Sequence, residues 1–132
     1  MTGDRQLRAL GLMSGTSMDG IDAAVLFSDG LARVEQGPAL AMPYDGEMKA
    51  GLRAVLGGRG EVAMIADRIS RAHAAVVDKL IADNGLAIDQ IDVVGFHGHT
   101  ILHQPEARRT CQIGDGALLA ALTRIDVVDD FR

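Results

Sequence analysis

Gly11-Leu12-Met13-Ser14-Gly15-Thr16-Ser17-Met18-Asp19-Gly20-Ile21-Asp22 joins two apolar runs through a turn of small residues. Leu7 to Met13 reads as a short strand, and Ile21 to Phe27 resumes the apolar run with Asp22 as its only acid. Glycines and an Asp-Gly pair between two such runs describe a hairpin, because glycine accepts the positive φ that tight turns need. Ser28-Asp29-Gly30 is a second turn, and Leu31 to Met42 a third, weaker strand closing at Pro43. Strands joined in succession by such turns predict an antiparallel meander as the opening of the fold.

Downstream the apolar period lengthens to that of a helix. Asp45 to Leu56 suits a short helix ending at Gly57-Gly58-Arg59-Gly60. Glu61 to Asp83 is the clearest helix of the chain: Ile65, Ile69, Ala72, Val76 and Leu80 recur at spacings of three or four and form one apolar face. Arg68, Arg71 and Asp78 lie off that face, and Asn84-Gly85 is a C-terminal stop. His73 falls on or beside the face and reads as a histidine at the edge of the core. Ile91 to Phe96 predicts a buried strand, with the polar His97-Gly98-His99-Thr100 as a loop just past its end. Beyond a loop at Pro105, Asp115 reads as the N-cap of a helix from Gly116 to Thr123, and Ile125 to Val128 begins another strand. The order β-β-β-α-α-β-α-β predicts an α/β fold with a mixed sheet, a β-meander followed by helices. It resembles the ribonuclease-H-like half of a two-lobed kinase more than a plain alternating α/β sheet.

A length of 132 residues suits one compact domain or one lobe of something larger, and an apolar content of 48% excludes wholesale disorder. Tyr44, Phe27, Phe96 and Phe131 are the only aromatics, so the core has to be aliphatic, with Met13, Met18, Met42, Met48 and Met64 expected to fill gaps. A net charge of −5 with no basic stripe argues against nucleic acid as a partner. No run approaches the roughly 18 apolar residues of a membrane-spanning helix. The single cysteine, Cys111, cannot form an internal disulfide, and with no signal-peptide layout at the N-terminus the expectation is a cytoplasmic protein.

Gly15 to Gly20 has the G-x-x-x-x-G spacing, but Ile21 and Asp22 follow where a Walker A loop requires Lys and Ser/Thr. In a hairpin the glycines still let backbone N–H groups approach an anion, and the Thr16 and Ser17 hydroxyls add donors. Asp19 and Asp22 are placed to orient a hydrated magnesium ion, which takes only one or two carboxylates. The plainer alternative is an ordinary Asp-Gly hairpin. His97 and His99 share a face of an extended segment, and with His103, Cys111 or Asp115 they outline a conceivable zinc set, although no Cys pair or second His motif supports it. The other reading of these imidazoles is a ligand-facing loop. Asp129 and Asp130 cannot both point into one site without a bend, since adjacent strand residues face opposite ways.

The stretch from Gly11 to Asp22 closely resembles the opening of the anhydro-N-acetylmuramic acid kinases. Gly95-Phe96-His97-Gly98-His99-Thr100, His103-Gln104-Pro105, Gln112-Ile113-Gly114-Asp115 and Asp130-Phe131-Arg132 follow that family in the same order, so the resemblance runs from about residue 7 to the last. It implies the actin-, hexokinase- and Hsp70-like ATPase fold, with residues 1–132 as the N-terminal lobe of a two-lobed sugar kinase whose second lobe is absent. It further implies an enzyme that opens 1,6-anhydro-N-acetylmuramic acid with water and transfers the ATP γ-phosphate to O6, recycling cell-wall sugar in bacterial cytoplasm. Carried over by position, Gly15, Thr16, Ser17, Met18, Asp19, Gly20, Ile21 and Asp22 would form the ATP-phosphate loop, with Asp19 and Asp22 reaching magnesium through water. His97, Gly98, His99, Thr100 and Asp115 would border the sugar pocket. The implied partners are the sugar, ATP and, for the full-length protein, a second copy. No catalytic residue is expected here, because the family's general-base Asp, in an Asp-Thr-Gly-Pro-Gly-Asn motif, would lie beyond Arg132. The alternative is a catalytically incomplete fragment that at most binds nucleotide phosphate or sugar. His99 stands where the family usually has Gln, Cys111 where Leu is common, and Arg124 where Gly is usual.

Overall fold

Alternate burial along the first two strands sets the sheet. In β1 (Leu7–Ser14) the side chains of Leu10, Leu12 and Ser14 are buried, and in β2 (Gly20–Ser28) those of Ile21, Ala23 and Val25. The computed structural model, which describes residues 6–15 and 18–130, pairs these strands antiparallel with Leu10 opposite Val25 and Ser14 opposite Ile21. Both buried sets therefore fall on one face.

The third strand, β3 (Val34–Pro43), adds antiparallel to β2, as the meander requires, but starts at Val34 rather than Leu31. The Asp29 carboxylate explains the difference: Oδ1 accepts from the N–H groups of Leu31, Ala32 and Arg33 at 2.9 to 3.0 Å, diverting those donors from the ladder. These bonds, Leu31's first, hold the Asp29 carboxyl below its ordinary pKa.

Two helices follow. In α1 (Gly46–Ala54) the Asp45 side chain caps the N-terminus, accepting from Met48 N–H at 2.8 Å. In α2 (Val62–Asp83) the buried face comprises Ile65, Ile69, His73, Val76, Val77, Leu80 and Ile81, while Ala72 is only partly covered. Asn84 Nδ2 donates to the Leu80 carbonyl at 2.8 Å and Gly85 turns left-handed, ending the helix where the sequence marks a stop.

The second half departs from expectation. Strand β4 runs over Val93–Gln104, so His97-Gly98-His99-Thr100 is not a loop past a strand but the middle of one. Its partner is β5 (Arg109–Ile113), an antiparallel neighbour joined through a turn at Pro105, with Arg108 in the left-handed region. After α3 (Gly116–Thr123) comes β6 (Val127–Asp129), parallel to β4. The observed order is thus β-β-β-α-α-β-β-α-β. The sheet reads β3-β2-β1-β4-β5, with β6 also on β4, and β1 and β4 are parallel.

The core is aliphatic, as expected, with Phe96 and Tyr44 as its buried aromatics. Met18 is buried, and Met42 and Met48 pack against the core. Met13 and Met64 do not: they are 51% and 42% exposed. Met13 lies on the outward face of β1 by alternation, and Met64 sits one position off the apolar face of α2. Among the described residues no helix is long and apolar enough to cross a membrane.

Leu80 is almost wholly enclosed, whereas Leu31 is 88% exposed. Leu80→Ala is expected to cost about 2–5 kcal/mol in urea unfolding, and Leu31→Ala within about 0.5 kcal/mol of nothing.

Candidate active site at the carboxyl ends of the parallel strands

Strands β1, β4 and β6 run parallel, and register sets them level: Leu12 opposes Phe96, and Phe96 opposes Asp129. Their carboxyl-terminal sides carry, in turn, the Gly15–Gly20 loop, His97-Gly98 and Asp129-Asp130. Ligands of open α/β sheets seat at this end of the strands.

The loop is held at both limbs. Met18 N–H donates to the Gly15 carbonyl at 3.0 Å, and Tyr44 N–H to the Asp19 carbonyl at 2.9 Å. Gly20 pairs with Pro43, and a Cβ at Gly20 would run into the Met42 carbonyl, so the close approach needs glycine. Thr16 and Ser17 lie outside the described residues. Met18 and Ile21 bury their side chains, which leaves only their main chain for a ligand. Asp19 and Asp22 are exposed, and with Gly15 and Gly20 they line one hollow of about 260 Å³.

A larger cleft, about 480 Å³, opens where β5 and β6 part from the same edge of β4. His97, Gly98, Cys111, Gln112, Gly114, Asp129 and Asp130 line it. At its floor Gly98 has φ +75°, and a Cβ there would collide with the Ile113 carbonyl. This glycine carries a bulge: Leu12 opposes Phe96, but Ser14 opposes His99 rather than Gly98. The bulge shifts the alternation by one, so Phe96 and His99 both turn into the core, and the expected common face of His97 and His99 does not form. His99, expected at the sugar pocket, is fully buried and is not among the residues that line the cleft. Asp129 and Asp130 do share the cleft, because Asp130 supplies the required bend with φ +58°.

Two other expected sugar contacts serve the framework. Thr100 Oγ1 accepts from Gln112 Nε2 at 3.2 Å across β4 and β5. Asp115 caps α3, accepting from Leu118 N–H at 3.0 Å, while its own N–H donates to Ser70 Oγ at 2.7 Å. The zinc set is not assembled: among the described residues no group of three or more His, Cys, Asp or Glu is placed to hold a metal ion.

Beneath the loop lies a polar cluster that no sequence spacing announced, since its members come from separate elements. Ser14 Oγ is 2.7 Å from Tyr44 Oη and 2.8 Å from His99 Nδ1. His73 is fully buried, not at the core's edge, because the Phe96 ring packs edge-on against it at 4.9 Å between centroids. Its Nδ1–H donates to the Ile69 carbonyl at 2.6 Å. Burial pushes the His73 pKa down to about 4; the Ile69 bond opposes this and the charge on His99 adds to it. Burial, then the charge on His97, also lowers His99. Burial pushes Tyr44 up to about 12 against the pull of Ser14.

A mixed α/β unit with a glycine hairpin and a carboxylate-lined cleft at one end of its parallel strands is compatible with an ATPase-like lobe. The family model for anhydro-N-acetylmuramic acid kinase matches residues 7–132, and the chain belongs to that family. It is 52% identical to the anhydro-N-acetylmuramic acid kinase of Paramagnetospirillum magneticum over 94% of this chain and 35% of that one. The same enzyme of Rhodospirillum rubrum is 52% identical over 98% of this chain and 35% of that one, and that of Rhizobium etli 44% identical over 94% and 36%. The chain therefore spans about a third of the length of these relatives.

The buried His73 sets a pH dependence of stability. Its folded-state pKa, about 4, lies below the unfolded value of 6.5, so between these values the unfolded chain binds a proton that the folded one refuses. Stability is expected to fall by about 3 kcal/mol as pH drops through that window. Urea midpoints from pH 7.5 to 4 check this, and His73→Leu should flatten that part of the profile.

Proposed function

We propose that the chain is the phosphate-binding, ribonuclease-H-like lobe of a two-lobed, cytoplasmic, ATP-dependent kinase. This enzyme opens 1,6-anhydro-N-acetylmuramic acid with water and places the γ-phosphate on O6. One observation carries the reading: Ser14, at the foot of the Gly15–Gly20 loop, is bonded to the β4 bulge whose other side floors the carboxylate-lined cleft. A phosphate held by the loop and a sugar held in the cleft would then be neighbours. The antiparallel β1-β2-β3 and the parallel β1, β4 and β6 support the fold assignment.

Main-chain N–H groups of the Gly15–Gly20 loop other than that of Met18, which donates to the Gly15 carbonyl, would face the phosphates, with Thr16 and Ser17 adding hydroxyls. Asp19 and Asp22 suit magnesium, since two exposed carboxylates on one hollow match what a mostly hydrated ion accepts. When bound, the ion supplies positive charge against the transferring phosphoryl group. His97, Asp129 and Asp130 offer the cleft polar partners for sugar hydroxyls. By the family resemblance the catalytic base would belong to the part of the relatives that this chain does not match. Removal of a general base costs about 100- to 10,000-fold.

Joining this chain to the remaining two-thirds of the Rhodospirillum rubrum relative provides the test. The chimera should release ADP only with the anhydro sugar present, and Asp19→Asn should lower kcat about 100-fold. Sugar-independent hydrolysis, or an Asp19→Asn chimera with unchanged kinetics, would overturn the reading.

A further inference from the structure

Ser14 is the last residue of β1, directly ahead of the loop, and Tyr44 is the residue whose N–H holds the Asp19 carbonyl on the loop's other limb. The 2.7 Å contact between their hydroxyls ties the two limbs together, and the 2.8 Å contact of Ser14 Oγ with His99 Nδ1 ties both to β4. All three side chains are buried.

Donor directions follow from the far end of the cluster. A carbonyl only accepts, so the His73 proton sits on Nδ1 against Ile69, and its Nε2 is left as an acceptor. His73 Nε2 and His99 Nε2 are both buried without a hydrogen-bond partner among the described residues, and His73 feels the charge on His99. No hydrogen bond joins the two rings; with the His99 proton on Nε2, Nδ1 is left as the acceptor that faces Ser14. His99 Nδ1 then accepts from the Ser14 hydroxyl, and Ser14 accepts from the Tyr44 hydroxyl. The two hydroxyls then donate in one direction, from Tyr44 through Ser14 to His99.

We propose that Ser14, Tyr44 and His99 are positioning residues for the two described limbs of the Gly15–Gly20 loop, and that these limbs stay in place only while the His99 imidazole is neutral. Protonating His99 places an N–H on Nδ1 facing Ser14. The serine must then reverse its hydroxyl toward Tyr44, whose own proton loses its acceptor inside the core. Among the described residues, the titratable groups that these interactions link to His99 are His73 on α2, Tyr44 ahead of α1 and His97 on β4, and no carboxylate is among them. The geometry stands on its own; only its effect on anion binding rests on the phosphate-loop reading.

Nitrogen-15 NMR of the histidines, with amide shifts of Gly15, Asp19 and Gly20 followed from pH 7.5 to 4.5, tests the proposal on the whole chain. The expected result is an Nδ1–H tautomer at His73, an Nε2–H tautomer at His99, and loop amides that move together with the His99 titration. Tyr44→Phe, which keeps the ring, should shift the same amides at constant pH. His99→Gln, which retains a side-chain hydrogen-bonding group but does not titrate, should leave them flat in pH. Magnesium pyrophosphate is the binding probe: its affinity for wild type should fall about tenfold further than for His99→Gln between pH 7.5 and 5. The comparison cancels the probe's own titration. Co-titrating amides without pyrophosphate binding would support the positioning role and remove the phosphate reading. Loop amides indifferent to both the His99 titration and Tyr44→Phe would overturn the proposal, even if pyrophosphate bound.

Discussion

Strand β4 has to serve two different neighbours along one edge, and the left-handed glycine at position 98 is what allows it. Up to Phe96 that edge pairs with β6, and from His99 onward it pairs with β5 in the opposite direction. A straight strand would keep its side chains in strict alternation and leave no gap between the two partners. The bulge at Gly98 breaks the alternation, opens the cleft between β5 and β6, and swings His99 under the sheet instead of over it. Three consequences thus share one cause: the cleft, the residues that line it, and the buried contact to Ser14. A side chain at 98 would meet the Ile113 carbonyl, so the arrangement tolerates no other residue there without moving β5.

The same contact shows how the two limbs of a glycine-rich loop can be held in place. Glycine-rich turns have much entropy to lose on ordering. Here the described limbs are held from outside the turn, by the end of β1, by Tyr44 and by β4. Burying three polar side chains is costly unless they satisfy one another. The Ser14 hydroxyl meets that condition by bonding to both of the others.

Much of the framework was legible from local pattern. The first hairpin and α2 declare themselves through period-two and period-3.6 spacing, and the caps at Asp45, Asp115 and Asn84-Gly85 act where their residue types place them. Strand β5 is different: of Arg109-Thr110-Cys111-Gln112-Ile113 only Ile113 is buried, so no alternation marks it. It is a strand because β4 is longer than its apolar run, which is a fact about pairing and not about either segment alone. The candidate site divides in the same way. Glycines and acids at the loop were visible as a motif, and the joint presence of Asp129 and Asp130 in the cleft depended on one left-handed residue that the alternation rule does not foresee. The cluster under the loop joins positions 14, 44, 73 and 99, and no spacing along the chain signals a contact made only by tertiary packing.

Tyr44 is the only tyrosine, and the chain has no tryptophan. Near-ultraviolet absorption and emission of the protein therefore come almost wholly from one ring, whose hydroxyl rests on the serine at the foot of the Gly15–Gly20 loop. Quenching, lifetime and anisotropy measurements on the unlabelled chain will report on that hinge directly, without a dye or an added reporter.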